Sequence, residues 1–343
     1  MSNCHISLLD EKNAPRWDEF VMRCPDATFF HRSGWKDVIE QAFGHHAYFF
    51  YAEQDGRIQG ILPLGHINSW LFGNALISVP FCVYGGICAD SDEIAQDLCM
   101  AAERLGGSLG VDYIEMRQRT NNLITWSGKD LYVTFRKNID PDPDKNLLAI
   151  PRKQRAMIRK GIKAGLCSEV DDGIGRFYDA YSESVRNLGT PVFSRRYFQV
   201  LADTFGDDCQ IMTVSNKGRT VASVMSFYFK DEVLPYYGGG TQEARHCKAN
   251  DFMYWELMRR ASESGVSLFD YGRSKKDTGA YSFKKNWGFE PQPLHYKYRL
   301  VNSTELPDIN PLNPKYRLFI KAWERLPLTV SRIIGPMISR NLG

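Results

Sequence analysis

With 343 residues, 43% of them apolar and 24% charged, the chain has globular composition and room for two domains. No run of about 18 uninterrupted apolar residues occurs, which excludes a conventional spanning helix. The eight cysteines stand singly at 4, 24, 82, 88, 99, 167, 209 and 247, a pattern of neither disulfide frame nor zinc site. Together with a polar, acid-bearing start (Met1 to Trp17), this gives the expectation of a reduced, cytoplasmic setting. The net charge of +3 conceals two unlike parts: residues 1–145 carry 13 Lys/Arg against 20 Asp/Glu, residues 146–343 carry 30 against 20. That balance suggests an anionic ligand on the second part, or ordinary surface chemistry.

In chain order the same elements are expected twice. Thr28-Phe29-Phe30-His31-Arg32 precedes a helical stretch ending at Ala42-Phe43-Gly44. Later, Pro191-Val192-Phe193-Ser194-Arg195 precedes one ending at Thr204-Phe205-Gly206. Each is followed by two apolar runs around a polar-Gly turn, at Asp55-Gly56 and at Lys217-Gly218, the signal of a hairpin. An aromatic and glycine turn comes next, at Tyr84-Gly85-Gly86 and at Tyr236 to Gly240. Helices then read from Asp92 to Leu105 and Asp251 to Ser264, each leading to a short apolar strand. The expected fold is α/β (α+β): two duplicated domains, each a mixed sheet with flanking helices. They are placed at residues 1–145 and 166–300, joined by a basic helix at 146–165, with a tail at 301–343.

The joining helix holds Arg152, Arg155 and Arg159 on one face with no acid among residues 151–165, so it reads as a phosphate-binding row or as a solvated face. The densest chemistry lies at Phe269-Asp270-Tyr271-Gly272-Arg273-Ser274, then Tyr281 and Phe283-Lys284-Lys285, then Trp287-Gly288. An apolar strand running into Gly, Arg and Ser is where a mixed sheet gathers ligand-binding groups. Arg273 offers a fork for a carboxylate or phosphate, and Lys284 a point charge. Asp270 is either a base or the residue that holds Arg273 or Lys284. Read as extended backbone, Lys284 and Lys285 face opposite sides. No metal is expected: His45-His46 are adjacent, poor geometry for ligands on one element. Walker-type and dinucleotide-type glycine loops are absent. The tail from Tyr316 to Leu342 is basic and amphipathic, but Pro327 and Pro336 divide it, so at most weak peripheral membrane contact is expected.

The repeat, its basic join, Phe269–Ser274 and the Phe283-Lys284 pair before Trp287-Gly288 together resemble the Fem family. These are bacterial peptidyl and aminoacyl transferases built from two acetyltransferase-like (GNAT) domains. The similarity is greatest to the FemAB-related branch linked with PEP-CTERM/exosortase and exopolysaccharide loci, and runs roughly from Phe29 to Leu300. The resemblance implies transfer from an activated acyl donor, acyl-CoA or aminoacyl-tRNA, to an amine of an envelope or exopolysaccharide precursor. It implies no tightly bound cofactor, and a location in the cytoplasm or at the inner membrane face. By the same resemblance Lys284 belongs to the reaction centre, with Asp270 beside it. Tyr237, Arg245, Asn250, Tyr254 and Arg273 match groove positions by that resemblance; Ser274 and Tyr281, from the dense cluster itself, are added as substrate-binding candidates. Two departures stand out: no helical hairpin interrupts the second domain, and Arg245-His246-Cys247-Lys248-Ala249-Asn250 replaces a glycine-rich pyrophosphate loop. The alternative is a non-catalytic module that binds an anionic glycan or nucleotide precursor.

Overall fold

The computed structural model describes residues 4–70, 72–120, 126–307 and 314–343, the side chains of 314–317 excepted. Part of the expected tail, residues 308–313, lies outside the described residues. The first half runs through β1 (His5–Leu8), α1 (Ala14–Arg23), α2 (Gly34–Val38), β2 (His46–Gln54), β3 (Arg57–Ser69) and β4 (Gly73–Ser78). It continues with β5 (Cys88–Ala89), α3 (Asp92–Leu109), β6 (Tyr113–Gln118), β7 (Ser127–Lys129) and β8 (Tyr132–Asn138). Two helices, α4 (Pro143–Ala149) and α5 (Arg152–Lys163), lead to β9 (Cys167–Asp171), α6 (Gly175–Asn187) and α7 (Arg195–Phe205). Then come β10 (Cys209–Asn216), β11 (Arg219–Phe229), β12 (Glu232–Gly240), α8 (Ala244–Cys247), α9 (Ala249–Glu263) and β13 (Leu268–Asp270). The chain ends with β14 (Ser274–Lys275), α10 (Gly279–Asn286), β15 (Pro291–Pro293), β16 (His295–Leu300), α11 (Pro314–Trp323) and α12 (Leu328–Ser339).

Two mixed sheets result. Their orders are β1-β2-β3-β4-β6-β16-β7, with β5 on β3, and β9-β10-β11-β12-β13-β8-β14, with β15 on β8. Each contains one parallel pair at its middle, β4 with β6 and β12 with β13. Both hairpins turn on two left-handed residues, Asp55 and Gly56 (φ 51 and 74) and Lys217 and Gly218 (φ 50 and 78). That conformation suits the right-handed twist of the flanking strands. The tandem repeat is present down to its turns.

The boundaries differ from those expected. One compact unit comprises residues 1–132, 293–309 and 340–343, the other 133–292 and 310–339. The cause is an exchange of strands. β8, which follows the first half, pairs antiparallel with β13, Asp270 opposite Arg136. β16, which follows the second half, pairs antiparallel with β6, Tyr298 opposite Glu115. Each covers an edge that would otherwise expose unpaired backbone. Val133 and Phe135 of β8 lie in the core of the second unit with Phe252, Trp255, Phe269 and Trp287. The first unit has its own core around Leu62, Leu64, Leu98 and Ile114.

Three local expectations are also corrected. Tyr236 to Gly240 is not a turn but the end of β12, where Gly238, Gly239 and Gly240 pair with Val224, Ser223 and Ala222. The glycines serve close approach: a Cβ on Gly239 would lie 3.0 Å from the Tyr181 Cα. Lys284 and Lys285 are helical, because Thr278 caps α10 by accepting from the Tyr281 N–H. Pro336 does not divide the tail; it sits inside α12, which continues past it to Ser339.

Candidate active site

The second unit opens at the middle of its sheet. β12 and β13 share only two register pairs, Glu232 with Leu268 and Val233 with Phe269, after which β12 continues to Gly240 while β13 ends at Asp270. Just past the divergence β12 is bulged: Ser226 faces Pro235 but Met225 faces Tyr237, leaving Tyr236 as the extra residue.

Asp270 is fully buried at the tip of β13. It accepts from Thr134 Oγ1 at 3.1 Å, Arg136 Nε at 3.1 Å and the Gly272 N–H at 2.7 Å. Arg136 also pairs with Glu232. Asp270 thus holds Arg136 and the Gly272 turn, and neither Arg273 nor Lys284 donates to it among these bonds. Gly272 takes the left-handed conformation (φ 66), turning the chain back over the strand end.

Lys284 reaches this turn from the last turn of α10. Its Nζ donates to the carbonyls of Gly272 and Arg273, both at 3.0 Å, and lies 5.8 Å from the centre of the Phe135 ring. Burial pushes its pKa down to about 7; Asp270 pulls it back up and Arg273 pushes it further down. Tyr281 meets Phe135 edge-on at 5.4 Å. Arg273 is half-buried, and the buried Ser274 Oγ has no hydrogen-bond partner among the described residues.

Tyr254 ties this centre to a second feature. Its ring lies 5.6 Å from Phe283 and 5.1 Å from Tyr271, and its OH would stand 3.3 Å from a Cβ on Gly238. Burial pushes its phenol up to about 12. One turn earlier on α9, Asn250 turns a buried, unpartnered Oδ1 toward Gly240. Asn250, Gly240, Ser184, Arg245 and Glu324 line a polar cleft of about 390 Å³. Lys248, where the glycine-rich loop is replaced, is left-handed (φ 62) and links α8 to α9.

Other expected groove residues lie apart from this cleft. Tyr237 bonds Tyr197 OH to OH at 2.7 Å within an aromatic nest of Tyr181, Phe193 and Phe198. Arg152 and Arg159 are exposed on α5, and Arg155 donates to the Leu148 carbonyl at 3.0 Å; none of the three lines the cleft. In the first unit His45 is buried, with its Nε2 2.6 Å from the Arg340 carbonyl oxygen. Sequence reasoning missed Thr134 and Arg136, which arrive on the exchanged strand. It also missed Glu324, although a sole acid among residues 314–343 is a signal.

Residues 151–285 match the family described as acetyltransferase (GNAT) domain. Among solved structures the whole chain is similar to FemX, at 15% identity and a TM-score of 0.68, over 92% of this chain and 100% of that one. It is also similar to L-PGS from Bacillus licheniformis (14%, TM-score 0.57, 93% and 99% covered). A tandem GNAT protein from the clavulanic acid biosynthesis pathway gives 13%, a TM-score of 0.54, and 89% and 100% covered. No curated protein sequence matches the chain. The fold is a tandem GNAT fold, and the domain match supports an acyltransferase that uses an activated acyl donor.

Proposed function

We propose that the chain transfers an acyl or aminoacyl group to an amine of a cell-envelope or exopolysaccharide precursor, with the reaction centre at the splayed ends of β12 and β13. The observation that carries this reading is the hydrogen bonding of Lys284. As an ammonium it has three donors, and the Gly272 and Arg273 carbonyls take two. The third is left for an oxyanion; a neutral amine would have none.

In the reaction the acceptor nitrogen attacks the donor carbonyl, the C–N bond forms, and charge moves to the carbonyl oxygen. Lys284 and backbone N–H groups at the Tyr236 bulge stabilise that charge, which the ground state lacks. Collapse breaks the bond to the thiol or hydroxyl leaving group, which takes the proton lost by the nitrogen. The cleft beside Arg245 and Asn250 supplies polar groups for an anionic donor, and the exposed cations of α5 add long-range attraction. The tandem GNAT protein of the same fold, whose description mentions AcCoA, supports an acyl-CoA as one candidate donor, and the Fem resemblance supports an aminoacyl donor as the other. A link to PEP-CTERM/exosortase or exopolysaccharide loci is the finest form of the proposal.

The test is incubation of the purified protein with acyl-CoAs and with charged tRNAs in parallel, each with amine acceptors, read by mass spectrometry. A mass gain on an acceptor, dependent on Lys284, supports the proposal. Tight binding of an anionic precursor with no transfer from any donor favours the non-catalytic module.

A further inference from the structure

α12 is turned the wrong way for a helix that merely packs. The face toward the protein is small and polar: Ser331, Gly335 and Ser339 are buried, with Ser339 Oγ donating to the Val192 carbonyl at 3.1 Å. A Cβ on Gly335 would sit 2.9 Å from Val192 backbone atoms, so the fit is close. The opposite face carries Ile333, 70% exposed, Met337, 67% exposed, and Ile334. α11 adds Leu318, 75% exposed, and Phe319. Five of the fourteen exposed large hydrophobics among the described residues thus lie on two short helices.

Both helices are seated on one shoulder of the second unit. Arg186 of α6 donates to the Leu326 carbonyl, Arg332 pairs with Asp179 of α6, and Gly189 packs against Ile320. The charge beside the patch leans positive: residues 314–339 contain five Lys or Arg and one acid, Glu324, and while Arg332 is paired with Asp179, Lys321 and Arg325 are exposed. Apolar residues flanked by cations match the boundary between anionic headgroups and acyl chains, where each such cation adds up to about 1 kcal/mol.

We propose that α11 and α12 dock the second unit on an anionic lipid surface. The tail read from sequence favours only weak contact because two prolines divide it; the structure keeps α12 whole through Pro336 and presents its branched residues outward. Glu324, between the two helices, also lines the polar cleft, so docking brings that cleft to the membrane boundary. The docking itself does not depend on the acyl-transfer reading.

The full chain is to be co-sedimented with vesicles of phosphatidylcholine alone and with 30 mol% phosphatidylglycerol. Binding to the anionic vesicles, weakened by salt and absent on the neutral ones, is expected. Ile333→Asp with Met337→Asp should reduce it by about tenfold or more. Lys321→Glu with Arg325→Glu should reduce it similarly while leaving the apolar face intact. These positions are exposed, so an unchanged Tm certifies the fold of each variant. No binding to anionic vesicles overturns the proposal, as does binding that both double variants retain. A concentration-dependent dimer abolished by Ile333→Asp would also overturn it, by naming a second copy as the occupant.

Discussion

Asp270 and Lys284 grip the same residue from opposite sides: Gly272 donates its N–H to Asp270 Oδ1 at 2.7 Å and offers its carbonyl to Lys284 Nζ at 3.0 Å. The carboxylate fixes the turn, and the turn fixes the ammonium. Lys284→Met removes the third donor and should lower kcat roughly a hundredfold, with little change in KM, since loss of one oxyanion donor costs about 3 kcal/mol. Lys285, the next residue on α10, is exposed and serves as the control. Equal losses from Lys285→Met would point to general electrostatics, and no loss from either would remove Lys284 from the chemistry.

The same lysine makes stability depend on pH. Its pKa falls from 10.5 to about 7 on folding, chiefly through burial. Above pH 10.5 neither folded nor unfolded chain holds the proton, so burial costs nothing there. Between 10.5 and 7 the unfolded chain binds a proton that the folded one does not, and stability falls as pH falls. Below 7 the penalty stays constant. Lys284→Met should therefore stabilise the protein at pH 7 on the order of 2 kcal/mol, the carbonyls it leaves unpaired offsetting part of the gain. Denaturant titrations at pH 7 and 10 check this: the gain should shrink at the higher pH and give way there to a net loss from the unpaired carbonyls.

Asp270→Asn separates positioning from catalysis. The amide keeps an acceptor for the Gly272 N–H but removes one of the two carboxylates seen paired with Arg136, Glu232 being the other. Breaking a buried pair this way should cost about 3 kcal/mol of stability. Asp270 is also what pulls the Lys284 pKa up toward 7, so without it that pKa drops. Activity that needs the ammonium falls as pH rises through this pKa, and in the variant that fall should begin at lower pH. A pH profile unchanged in shape would leave Asp270 a purely structural residue.

The turns, hairpins and the strand into Asp270 are legible because two-residue loops and strand-end clusters are local signals. Partnership between distant strands is not. Nothing in Tyr132–Asn138 says that its Thr134 and Arg136 will meet Asp270, since that pairing spans 134 residues from Arg136 to Asp270. Lys284 was found by its neighbours, but its helical setting depends on the Thr278 cap, one hydroxyl at the right offset. Tyr237, which the family resemblance puts in the groove, bonds its hydroxyl to that of Tyr197, a contact between residues 40 apart that no local signal announces.

The cations of α5 allow a salt-dependent test. Arg152 and Arg159 are exposed, while Ile158 and Gly161 face inward, so reversing the two arginines leaves the packing intact. Arg152→Glu with Arg159→Glu should weaken binding of acetyl-CoA or tRNA roughly tenfold at low salt, and less at 0.5 M, where exposed charges are screened. Titration calorimetry with the first and filter binding with the second check it. Affinity indifferent to both salt and charge would leave α5 a solvated face.

The exchanged strands predict what happens when the chain is divided. Residues 1–145 alone would keep β6 but lose β16, whose six register pairs run from His295 opposite Gln118 to Leu300 opposite Tyr113. Residues 146–343 alone would lose β8, and with it Val133 and Phe135 from the core and the Thr134 and Arg136 donors on buried Asp270. Losing those donors from a buried carboxylate carries a penalty of several kcal/mol, comparable to the whole stability of many domains. Each half expressed alone should therefore aggregate or lack a cooperative unfolding transition. The two halves expressed together should co-purify and regain one, because each then supplies the strand the other lacks. Solubility, gel filtration and thermal melts followed by near-ultraviolet circular dichroism distinguish these cases. A fragment 146–343 that melts cooperatively at the temperature of the intact chain would show that β8 is dispensable and the exchange energetically minor.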